Sequence, residues 1–118
     1  MVAVYSMKKT IADLLVAAHA HREGRSSISL HEGEASVLRQ TVTALQAGKS
    51  MEIEHPPLEG WVLVLEGELN LRVNSSPDTE EIRLPIHSLI QLPQGSLTLT
   101  ANVDSGMLLT VATGDRPR

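Results

Sequence analysis

The chain has 118 residues, a formal net charge of −4, no cysteine, no phenylalanine, one tryptophan and one tyrosine. That length suits one domain, and 42% hydrophobic against 20% charged residues is a globular balance that argues against wholesale disorder. The acidic balance and scattered basic residues argue against nucleic acid as a main partner, and the missing cysteine removes disulfides, thiolate metal sites and cysteine nucleophiles and suits a cytoplasmic setting.

Thr10-Ile11-Ala12-Asp13 predicts a helix start, with Thr10 as cap and Asp13 placed roughly as in a capping box. Ile11, Leu14, Leu15 and Ala18 then share one face, and Gly24 ends a short N-terminal helix of about residues 10–23. Lys8-Lys9 before an apolar stretch, with Ala18-His19-Ala20 after it, has the outline of a secretory leader, but Asp13 interrupts the stretch and Leu14–Ala18 is short for a leader's apolar segment. No stretch reaches the length of a membrane span, so no membrane is expected as a partner. Asn74-Ser75-Ser76 is a glycosylation acceptor in form and carries meaning only in a secreted chain.

From Ser26 onward the pattern is strand. Ser26–Leu30, Ala35–Leu45, Met51–Glu54, Trp61–Leu65, Leu69–Val73, Ile82–Leu84, Leu89–Leu92, Leu97–Ala101 and Met107–Val111 are short apolar or alternating runs. Trp61–Leu65 is continuously apolar, which predicts cover on both faces. Ala47-Gly48 marks a turn, Glu66-Gly67 a hairpin, and Asn74–Glu80 a polar loop. The expected class is all-β, a sandwich or barrel over residues 26–113, with 1–25 as an N-terminal segment and 114–118 as a polar tail.

Two sets of turn residues carry a family likeness. Gly48 and Leu65-Glu66-Gly67-Glu68 stand where one motif opens and closes, and Pro93-Gln94-Gly95 with Asn102 follows a second. With these residues the stretch Ala47–Asn102 resembles the cupin superfamily, and with flanking strands the likeness covers roughly residues 35–113. The resemblance implies a jelly-roll barrel, the double-stranded β-helix of RmlC-like cupins. In that family two His and a Glu from the first motif and a His from the second bind a divalent metal. Here those positions fall on Glu54, Pro56, Gly60 and Thr98, and the opening Gly of the second motif is His87, so the family's ligand identities are missing.

A rebuilt metal site is one alternative. Glu52 and Glu54 share a strand face, and a bulge at Pro56-Pro57 would turn His55 inward in place of Glu54. Glu52, Glu54 and His55 then form the candidate donor set for a divalent transition metal. The plainer expectation is solvated carboxylates near the barrel rim and no cofactor. A cluster of His19, His21 and His31 is a further, unsupported grouping; His19 and His21 suit a helix C-terminus, and His31 and His87 suit strand or turn boundaries. No nucleophile-elbow pattern singles out a Ser-His-Asp set. Thr98 either bonds a ligand or a neighbouring strand. Trp61 is expected in the core or at an interface.

The leading expectation is a metal-free, small-molecule binding module acting as a homodimer, its pocket lined by Glu52, Glu54, Val62, Val64 and Thr98. The alternatives are a metal-dependent cupin enzyme, dioxygenase or isomerase, using a Glu/His site, and a non-catalytic dimerising domain. A sugar epimerase of the metal-free cupin type needs a tyrosine acid, and Tyr5 lies outside the region of likeness.

Overall fold

The computed structural model describes residues 4–30, 38–53, 59–74 and 80–112. Helix α1, Met7–Ala20, opens on Ser6, whose Oγ accepts a hydrogen bond from the Lys9 N–H at 3.3 Å. The expected start at Thr10 is corrected: Thr10 lies inside the helix and donates its N–H to the Ser6 carbonyl at 2.9 Å, because the serine offers an earlier cap. The end moves back as well. His21 takes an extended backbone, and Gly24, at φ 69°, turns the chain toward the first strand instead of capping the helix.

Nine strands follow among the described residues: β1 Arg25–Ser29, β2 Leu38–Leu45, β3 Ser50–Ile53, β4 Glu59–Glu66, β5 Leu69–Val73, β6 Glu80–Leu84, β7 Leu89–Gln91, β8 Leu97–Ala101 and β9 Ser105–Ala112. They form two antiparallel sheets, β1-β2-β9-β4-β7 and β3-β8-β5-β6. The strand series read from the sequence is present, with one correction. Glu66-Gly67 does not close a hairpin, because β4 and β5 belong to different sheets. The chain crosses from sheet to sheet there, as it does between β2 and β3, β6 and β7, β7 and β8, and β8 and β9.

Three of these crossings bind one another at one end of the sandwich. Gly67, at φ 75°, lies against the loop between β8 and β9; an added Cβ would sit 2.4 Å from both the Asp104 carbonyl and Ser105 Oγ. The Ser105 hydroxyl is fully buried, accepts from the Glu68 N–H at 3.0 Å and donates to the Val103 carbonyl at 2.7 Å. The Glu68 carboxylate accepts from Asn102 Nδ2 at 2.7 Å and from Arg83 Nε at 2.8 Å. Asp104 accepts from the Ala47 N–H at 2.9 Å and meets His19 Nε2 at 2.7 Å, which ties the helix and the β2–β3 turn to the same knot.

Between the sheets lies one aliphatic core. Val62 and Val64 of β4, Leu45, Met107, and Leu97 and Leu99 of β8 are at most 1% exposed. The other face of the five-stranded sheet holds α1: Ile11 fills the space over Gly106, where an added Cβ would sit 2.6 Å from Ile11 Cγ2. Burying Ile11 there is worth about 2 kcal/mol. The expectation that both faces of Trp61–Leu65 are covered holds on the inner face alone. Trp61 is 37% exposed, because α1 packs chiefly over β1 and β2.

Gly67→Ala combines a left-handed backbone with a steric clash, so it should cost about 2–4 kcal/mol in urea unfolding. Gly48→Ala, with φ 82° and no atom within 4 Å of the added Cβ, should cost about 1 kcal/mol. Equal losses at the two sites would remove the crossing from its central place. The same knot sets an acid limit. Hydrogen bonds from Asn102 and Arg83 hold the Glu68 carboxyl below its ordinary 4.5, and those from the Ala47 N–H and His19 hold Asp104 below 3.8. A depressed folded-state pKa stabilises above the unfolded value and stops doing so as the pH falls through the folded one. Unfolding free energy should therefore decline as the pH falls through and below these ordinary values, and Glu68→Gln with Asp104→Asn should flatten that decline.

Candidate functional site

The barrel has two unlike ends. The knot of crossings occupies one. At the other, the strands end in register: Leu38 and Glu59 both pair with Ala112, Trp61 with Gln91, and Leu97 with both Ile53 and Val73. The inner wall near this far end is built from two cross-strand rows. Ile90, Val62, Leu109 and Thr41 line up on the five-stranded sheet, and Ile53, Leu97 and Val73 on the four-stranded one. Val62 and Leu97 are fully buried, whereas Ile53, Val73, Ile90 and Leu109 pack against the core with part of their surface exposed.

The sequence-predicted site residues are split by this geometry. Val62 and Val64 point inward as expected, yet both are fully enclosed by the core and leave no free surface. Glu52 and Thr98 face each other across β3 and β8, but on the outside of the barrel. Met51 and Ile53 flank Glu52, and Leu97 and Leu99 flank Thr98; these four turn to the core, and strand alternation sends the polar pair to solvent. Thr98 therefore does not line the cavity. Its hydroxyl accepts from Asn74 Nδ2 at 2.9 Å. The shift of one residue has a physical cause: turning Thr98 inward would carry two leucines to the surface, at about 1.5–3 kcal/mol each. Glu54 and His55 lie outside the described residues, as does His31.

The outer face of the four-stranded sheet is polar throughout its described length. Glu52, Thr98, Arg72 and Glu81 form one cross-strand row, and Ser50, Thr100, Asn70 and Arg83 the next. Ser50 and Thr100 share a hydrogen bond at 2.8 Å, and Asn70 Nδ2 donates to Glu81 at 3.2 Å. This is a solvated sheet face stabilised by its own pairs, and Glu52 belongs to it.

Among the described residues the walls offer no donor set for the metal of the resemblance. Gly60 of β4 is buried on the same side as Val62, and Leu97, Leu99 and Ile53 turn inward from the facing sheet. None offers an imidazole or carboxylate, which a divalent transition metal needs. Among the described residues no three His, Asp or Glu side chains converge. No described helix is long and apolar enough to cross a membrane.

Sequence reasoning missed two arrangements. Glu68 and Asn102 were matched as separate motif residues, and the structure shows them bonded to each other. His19 was assigned to the helix end, where it does lie, but its partner Asp104 comes from a loop 85 residues away. Pairings at such separation leave no local periodicity to detect.

A two-sheet jelly roll with three crossings bound together at one end and an aliphatic interior defines the class. The chain has the cupin fold. No protein-family model and no curated protein matches its sequence. Among solved structures it is similar to an RmlC-like cupin protein from Desulfovibrio desulfuricans, with 23% identity, 75% of this chain and 82% of that one covered, and a TM-score of 0.62. A conserved protein of unknown function from Streptococcus pyogenes matches with 23% identity, coverage of 81% and 80%, and a TM-score of 0.63. An oxalate oxidase matches with 13% identity, coverage of 80% and 53%, and a TM-score of 0.63. At these identities the likeness is one of fold.

The inside–outside assignment is directly measurable. Thr98→Val should change stability by less than about 1 kcal/mol, the worth of one exposed hydrogen bond, whereas Leu99→Ala should cost about 2–5 kcal/mol through the cavity it leaves. The reverse order in urea unfolding would place Thr98 inside.

Proposed function

We propose that the chain is a metal-independent binding module that takes a small, largely uncharged, apolar molecule at the far end of the barrel and works as a homodimer. The observation that carries the reading is the wall itself. Around Val62 and Leu97 the described inward side chains are mostly aliphatic, those toward the far end keep exposed surface, and the register adds Ser29 beside Thr41 and an exposed Arg39 beside Val111. Pockets for small molecules are mostly apolar with few polar groups, and Thr41 and Ser29 are polar groups of the inner row, with Arg39 in the row beyond. Glu52 stands outside and so brings no preference for a cation to the pocket.

The dimer is supported by the uncovered part of the five-stranded sheet. Leu89, Leu63 and Leu108 lie side by side across β7, β4 and β9, with Trp61 in the next outward row. Leu89 is 61% exposed, and the chain's single tryptophan is exposed beside it. Contiguous apolar surface on one sheet face marks an interaction site, and a two-fold pairing covers the same patch on both copies.

Thermal unfolding with short uncharged aliphatic alcohols and esters tests the pocket. A ligand at about a hundredfold excess over Kd should stabilise the fold by about 2.7 kcal/mol, equally with and without chelator, and Leu109→Gln should abolish the gain. No stabilisation by any member, or a gain that chelator removes, overturns the reading. Sedimentation of the same sample should give a dimer that Leu89→Arg converts to monomer; a monomeric parent chain removes the dimer.

A further inference from the structure

We propose that the loop between α1 and β1 holds an anion-binding site, fitted to a small doubly charged oxyanion such as the phosphate group of a metabolite. This site stands at the knotted end, on the outside of the barrel, and is independent of the pocket at the far end. A cavity of about 370 Å³ is lined by His21, Arg22, Glu23 and Arg25. The chain as a whole is acidic, at −4, yet three of these four side chains are basic. Lys49 of the β2–β3 turn does not line the cavity but lies against the same loop. Its stem lies against Gly24, so closely that an added Cβ there would meet Lys49 Cγ at 2.5 Å.

The charges are largely uncommitted. Glu23 pairs with Arg25 Nη2 at 3.1 Å, but both side chains are well exposed, and a guanidinium has further N–H donors to offer. Among the described residues the side chains of His21, Arg22 and Lys49 have no hydrogen-bond or ion-pair partner. The acid nearest in the knot, Asp104, is already engaged by His19 and the Ala47 N–H. Two guanidinium groups on one concavity, with the Lys49 ammonium on the adjoining turn, raise the local potential for an anion, and the arginine fork matches the oxygens of a phosphate or carboxylate in two parallel bonds.

The backbone under these side chains is fixed before any ligand arrives. The Gly24 N–H donates to the His21 carbonyl at 3.0 Å, the Gln46 N–H to the Gly24 carbonyl at 2.8 Å, and the Lys49 N–H to the Gln46 carbonyl at 3.0 Å. A preorganised loop loses little entropy on binding. Compensation of the helix dipole accounts for a cation in the last helical turn, but that role falls off beyond the turn and does not extend to Arg25 in β1 or Lys49 on another connection.

The experiment is a titration of the full chain with inorganic phosphate and pyrophosphate at constant ionic strength, followed by backbone amide shifts. Saturable shifts confined to residues 21–25 and 46–49 are expected, with pyrophosphate the tighter probe. Arg22→Gln should weaken binding about tenfold, the loss of one charge-assisted hydrogen bond, while leaving the thermal midpoint in place. Arg25→Gln should do the same, and Arg22→Gln alone decides the matter if that second variant fails to fold. Absent shifts, shifts spread over the whole surface, or binding unchanged in Arg22→Gln overturn the site. Loss of stability in Arg22→Gln without any effect on anions would assign the loop to the helix dipole instead.

Discussion

Two backbone crossings meet at Gly67 and Ser105, and no room is left between them for a methyl group. A jelly roll must carry its chain between sheets many times, and each passage strips several peptide groups of their ladder partners. Here the losses are made good locally. Ser105 serves the Glu68 N–H, the Glu68 carbonyl accepts from the Asn102 N–H at 3.0 Å, and the Glu68 carboxylate collects Asn102 and Arg83. Buried backbone groups left unpaired would cost more than the turns gain, so the satisfied knot is what permits the tight closure. Helix, β2–β3 turn and both sheets reach it through Asp104, Ala47 and Glu68.

From that knot the strands run outward with a register decided by aliphatic residues. Leucines on β5 and β8 and valines on β4 occupy alternate positions, and the period of a strand leaves one choice of face. The polar residues between them have no say. That is why Glu52 and Thr98 meet on the solvent side, and why Thr98 does not stand inside the barrel, where the resemblance places a ligand. The outer polar rows and the inner aliphatic rows are two consequences of the same alternation.

Most of the architecture was legible because it is local. Strand runs, the turn at Gly48 and the glycine at 67 all carry their signal within a few residues. What was not legible involved a choice between neighbours or a partner far along the chain. The helix start turned on whether Ser6 or Thr10 supplied the cap, and both fit the rule. The hairpin expected at Glu66-Gly67 proved a crossing, since a glycine at positive φ serves either and the sheet assignment is made by distant pairings. Among the site residues, Val62 and Val64 were read on the right face. Thr98 was placed by motif spacing, which does not register a one-residue difference in which side chain turns inward.

The position of Gly106 bears on the order in which the molecule can assemble. Its bare backbone is the notch for Ile11, and it lies in β9, which also separates β2 from β4 in the larger sheet. During synthesis α1 emerges just before β1 and β2, over which it chiefly packs, but the Gly106 notch follows only with β9. Until β9 arrives, β2 and β4 each present an unpaired edge and Ile11 lacks the notch it fills. Closure of the larger sheet and the seating of Ile11 are thus bound into one late step. A chain so arranged folds slowly for its size and spends its waiting time with adhesive edges exposed.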